Sequence, residues 1–118
     1  MNYKSLLIGA SLFLLAQSLS WFQTNGQFIS NWAKDNPTLI AAIMGLPVGL
    51  SYIYGTTFIV EAFSGELWPS RLIGFATGIL CFTILTYIFM GEGINIKTGI
   101  ILLLAAVILI LQVFWKYD

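Results

Sequence analysis

The chain has 118 residues, of which 58% are hydrophobic and only 8% charged, whereas about a quarter of residues are charged in an ordinary soluble domain. Five Lys/Arg balance five Asp/Glu, which excludes both a basic nucleic-acid footprint and an acidic disordered arm. With no histidine and a single cysteine, Cys81, the ligand sets of zinc, haem and iron–sulfur sites are missing and no intrachain disulfide can form, so no metal and no cofactor is expected.

The apolar residues come in long runs, not in the short alternations of a membrane barrel. The expected fold is all-α: an integral membrane four-helix bundle, one transmembrane domain over residues 1–118, with the lipid bilayer of an inner or plasma membrane as its surroundings. The first span is read over residues 6–22, with Lys4 before it and Trp21 near its far end marking the two interfaces. Lys4 and Ala16-Gln17-Ser18 also have the outline of a signal peptide; removing that segment would cost the bundle a helix it needs. The polar stretch Gln23-Thr24-Asn25-Gly26-Gln27, then residues 28–36, either caps the first helix or lies along the surface with Trp32 at headgroup depth. The second span, residues 39–60, follows Pro37 and carries Gly45-Leu46-Pro47 and Gly55, which predicts a kink near Pro47.

Residues 61–71 make a short connection in which Gly65 suits a helix stop and Pro69 a first helical turn. The third span is read over 72–90, a tight polar turn over 91–98, and the most aliphatic span over 99–115, stopping at Lys116. With both termini on one side, Lys4, Arg71 and Lys116 oppose Lys34 and Lys97, a nearly even split. It allows a single orientation with cytoplasmic termini, or insertion in both orientations as an antiparallel dimer.

Lipid gives helices no hydrophobic reason to associate, so small residues mark close packing. Gly45 and Gly49 form a GxxxG pair continued by Ser51 and Gly55, and Gly74 and Gly78 form a second. Ser70, Gly74, Thr77 and Cys81 recur at helical spacing as a weakly polar stripe. It reads as helix packing or as one wall of a substrate cavity shared with Gln17, Ser18 and Tyr54. Gln17 is the one strongly polar side chain deep in the first run; its amide either struts two helices or orients a substrate. Glu61, Glu66 and Arg71 surround one turn, as a local ion pair or as an anion site at the start of the third span. The absence of a histidine base, a Ser/Lys pair within one span or clustered intramembrane carboxylates argues against an enzyme.

Four short spans, a Gly/Pro-bearing second helix and the turn Met90-Gly91-Glu92-Gly93-Ile94-Asn95-Ile96-Lys97 resemble the small multidrug resistance proteins of the drug/metabolite transporter superfamily. The resemblance is clearest over residues 89–99. It implies a homodimer whose last helices meet at two small residues seven apart, here Gly99 and Ala106. Multidrug members exchange protons at a membrane-embedded glutamate on the first helix; the nearest position here is Gln17, whose amide cannot carry a proton. The expectation is therefore a dimeric transporter or transporter-derived protein acting on a neutral or zwitterionic small molecule. A non-transporting subunit docked onto a larger complex is the second reading, and a pore-forming oligomer the third.

Overall fold

A computed structural model describes residues 2–115; the expectations placed on Lys116 lie outside the described residues. In hydrocarbon every backbone polar group must be satisfied within its own segment, and these sequences answer with long helices. They are α1 (Tyr3–Asn25), the short surface helix α2 (Asn31–Asp35), α3 (Pro37–Ala62), α4 (Trp68–Met90) and α5 (Ile96–Phe114), with a 3₁₀ turn over Gly26–Phe28. Four of these helices, α1, α3, α4 and α5, are long and apolar enough to cross a bilayer, and the chain is a multi-pass membrane protein.

Local chemistry sets the ends. Asn2 caps α1 by accepting from the Ser5 amide at 3.2 Å, and Asn95 caps α5 by accepting from Thr98 at 2.8 Å. Pro37 opens α3, where its missing N–H costs nothing. Pro47 does not end that helix, although it withholds a hydrogen bond from the carbonyl four residues earlier. One turn on, the Ser51 hydroxyl donates to the Pro47 carbonyl at 2.8 Å. The α3–α4 connection turns through Ser64 and Gly65, and α4 stops at Gly91; all three have positive φ, which glycine takes without strain.

α1 is the central helix, with α3 along one flank and α4 along the other; α5 lies beyond, against α4. α1 and α4 run in the same direction, α3 and α5 in the opposite one, and α3 meets α4 only over a short stretch. The bundle is consequently flattened, with Cα extents of 52 × 35 × 18 Å. Its tightest seam lies between α1 and α3. A Cβ on Gly9 would stand 2.7 Å from the Ile59 side chain, and one on Gly55 would stand 2.7 Å from the Phe13 ring. Each glycine thus holds a large side chain of the other helix, letting the two backbones approach.

The buried cluster Leu6, Phe13, Ile59, Ala62 and Ile73 fills the end where α1 and α4 begin and α3 finishes, joined by Leu109 and Val113 of α5. At the other end Trp21, Phe22 and Phe89 stack with centroids 5.1–5.7 Å apart. Trp21 corrects an expectation: it is buried, donating its indole N–H to Thr86 Oγ1 at 3.0 Å. α1 runs past it to Asn25, which takes the indole away from the interface. The exposed tryptophans are Trp32 at that end and Trp68 and Trp115 at the opposite one, the placement of membrane-interface aromatics.

Candidate binding groove

Because α3 and α4 diverge on either side of α1, a cavity of about 300 Å³ opens between them. Phe13 and Gln17 of α1 form its floor, Tyr52 and Thr56 one wall, and Ser70, Arg71, Gly74 and Phe75 the other. A shallower groove of about 550 Å³ lies between α4 and α5, and Gln17 borders it as well.

Gln17 joins α1 to α4: its amide N–H donates to the Gly74 carbonyl at 2.9 Å, and its amide group sits 3.0 Å from where a Cβ of Gly78 would be. The absent side chain at Gly78 makes room for it. The amide oxygen accepts nothing from the described residues, and no buried side-chain oxygen or nitrogen among them lacks a partner. That oxygen therefore lies on an open surface and remains free to accept.

Many hydroxyls in the spans bond within their own helix, whereas others, Ser20, Tyr52, Tyr54, Thr56 and Tyr87 among them, donate to none of the described residues. Ser11, Ser18, Ser51, Thr57, Thr77 and Thr83 each donate to the carbonyl four residues earlier, which satisfies them within their own helix. Thr56 and Tyr52 form no hydrogen bond with the described residues, and both line the cavity. Arg71 is exposed at its mouth, and among the described residues no Lys or Arg nitrogen comes within 4.0 Å of a carboxylate oxygen.

The expected site is therefore rearranged. Gln17 is in place, but Ser18 faces Cys81 at 4.0 Å, and Thr77 is buried with its hydroxyl shared between the Ile73 and Gly74 carbonyls. Tyr54 points outward, 57% exposed, and Tyr52 stands in the cavity instead. The expected ion pair is absent, since Glu61 and Glu66 are exposed on the turn side while Arg71 lines the cavity. Of the small-residue pairs, a Cβ on Gly74 would stand 3.6 Å from the Phe13 ring, and Gly78 faces Gln17. A Cβ on Gly49 would meet nothing within 4 Å, and one on Gly45 only Gln23 at 4.0 Å. Gly99 and Ala106 are half-buried at the edge of the α5 face that meets α4.

Tyr52, Thr56 and Phe13 complete the groove beyond the residues singled out in the sequence, while Ser70 and Gly74 of the weakly polar stripe stand in its α4 wall. Ser51 and Gly55 carried the signal for the first two. At about 100° per residue, Tyr52 and Thr56 fall on one flank of that small stripe and Tyr54 on the other.

Comparison of the chain with family models, with curated proteins and with solved structures finds no match.

Proposed function

We propose that the protein is a small transporter, or a derivative of one, of the drug/metabolite transporter type, working as a dimer on a small neutral or zwitterionic molecule. The observation that carries this reading is the groove itself: a polar-lined cavity on the open face of a flattened bundle, with Gln17, whose amide oxygen accepts from none of the described residues, at its floor. Tyr52, Thr56 and Gln17 would otherwise face lipid, where unpartnered polar groups are costly. A second copy laid across that face encloses them, and rocking of one bundle against the other would expose the site to either side in turn. Gly99 and Ala106 offer small surfaces for contact between the two α5 helices. The Gln17 amide cannot take up and release a proton as a carboxylate does, so the reading excludes cation export by carboxylate protonation at this position.

The test is osmotic swelling of proteoliposomes challenged with a panel of amino acids, betaines and polyols. Swelling above protein-free vesicles is expected for some members of the panel, and Gln17→Leu should abolish it while leaving a folded, monodisperse protein. A panel without effect rejects the reading; unchanged swelling in the variant removes Gln17 from the site.

One observation favours docking onto a larger complex instead. Gly45 and Gly49 make a small-residue seam with no intrachain neighbour closer than 4.0 Å, and a helix from another protein would fit against it.

A further inference from the structure

The groove contains one charged side chain, Arg71, and no carboxylate. A guanidinium is cationic and presents five N–H donors in a planar fork. Around it the cavity offers the hydroxyls of Tyr52 and Thr56, neither bonded to the described residues, although Ser51 and Thr57 on the same helix bond back to Pro47 and Ile53. Ser70 has already given its proton to the Leu67 carbonyl at 2.7 Å. The lining thus has more donors than acceptors and a net positive charge. The aromatic rings of Phe13 and Phe75 make its other surfaces apolar.

We infer that the groove binds a ligand through an oxyanion, a carboxylate or a phosphate, held by Arg71 with the Tyr52 and Thr56 hydroxyls as supporting donors. The rest of the ligand, including the cationic group of a zwitterion, then lies over the Phe13 and Phe75 rings, with Gln17 at the floor as an acceptor for its N–H or O–H groups. Arg71 lies in the first turn of α4, and no side chain caps that helix start, so an anion there also offsets the positive end of the helix dipole. Carboxylate and phosphate suit the guanidinium fork in the same way, and either a soluble acid or a lipid headgroup at this depth can supply one. This inference narrows the substrate of the transport reading to a zwitterion held by its anionic group, and rests on that reading for passage across the membrane, though not for binding.

The experiment measures apparent Kd in a neutral maltoside detergent for two amphiphiles of equal chain length, dodecyl phosphate and dodecyltrimethylammonium, with benzoate as a soluble competitor. The full chain should prefer the phosphate by about tenfold or more. Arg71→Gln should erase that preference, Arg71→Lys should retain most of it, and Lys4→Gln, at the same end of the bundle, should leave it intact. Competition by benzoate identifies a soluble carboxylate as the natural type of ligand; phosphate binding without benzoate competition identifies a lipid headgroup. Equal affinity for the two amphiphiles, or an unchanged preference in Arg71→Gln, overturns the inference. Anion binding with no flux in proteoliposomes removes the transport reading and leaves the site. Flux of uncharged solutes that Arg71→Gln does not alter does the reverse.

Discussion

Thr56 and Thr57 are adjacent in one helix and chemically identical, yet the second donates to Ile53 at 3.0 Å while the first faces the cavity with its hydroxyl unpaired among the described residues. Side-chain direction alone separates them, and it also separates Tyr52 from Tyr54. The sequence allowed that distinction, because Ser51 and Gly55 mark the side of α3 that meets α1. What stayed hidden was which flank of the stripe would open into a cavity, since that depends on how far α3 diverges from α4. The Gly9–Ile59 and Gly55–Phe13 contacts were equally out of reach: a glycine shows where a neighbour can approach, not which neighbour comes. They lead to a sharp expectation. Gly55→Ala would put a methyl 2.7 Å from a Phe13 ring that is only 2% exposed and 3.3 Å from the Leu12 Cβ. With the ring packed between Gly55, Gly74 and Tyr52, taking in the methyl must displace it or part the two helices, so the variant should lose about 1–3 kcal/mol in reversible unfolding in mixed micelles. Gly49→Ala, with open space around its new methyl, should change little.

At the level of whole helices, the four spans were legible because length and apolarity suffice to define them in a bilayer. Their ends were legible only in part: α4 stops at Met90 as read and holds Pro69 in its first turn. α1 was expected to stop at residue 22 and instead reaches Asn25. The polar residues read as capping the helix or lying along the surface bond back to their own helix, Thr24 to the Ser20 carbonyl at 2.9 Å and Asn25 to the Trp21 carbonyl at 3.1 Å. The helix therefore continues into the polar region with its added groups satisfied. Gly45 and Gly49 illustrate the opposite difficulty, since the GxxxG pattern states a capacity for packing that the chain itself does not use. α5 is the span least covered by the rest of the chain, with Ala105 its one buried residue among those described. Ala106 borders that contact, half-buried. Ala106→Phe should disrupt a dimer built on this edge, read as a shift to monomer in crosslinking within native-like lipid. A dimer that survives the substitution would place the contact on another surface.

The whole molecule carries its basic residues almost evenly, Lys4 and Arg71 at one end and Lys34 and Lys97 at the other, so charge gives it little reason to prefer one orientation. Single cysteines in the turns at residues 64–66 and 92–94, in a background where Cys81 is replaced by serine, report orientation through a membrane-impermeant thiol reagent. Labelling of each turn from both sides of the membrane is the expected outcome for an antiparallel dimer; labelling from one side only would point to a fixed-topology subunit. The central place of α1 also bears on how the chain is made. Gln17 hydrogen-bonds to a residue 57 positions further along, so α1 leaves the ribosome long before its amide has a partner. During that interval α3 can close the Gly9–Gly55 seam, while the α4 flank stays open with an unsatisfied amide. Early in biosynthesis the chain is thus a two-helix hairpin with one polar edge, best sheltered by the insertion machinery until α4 arrives to cover it.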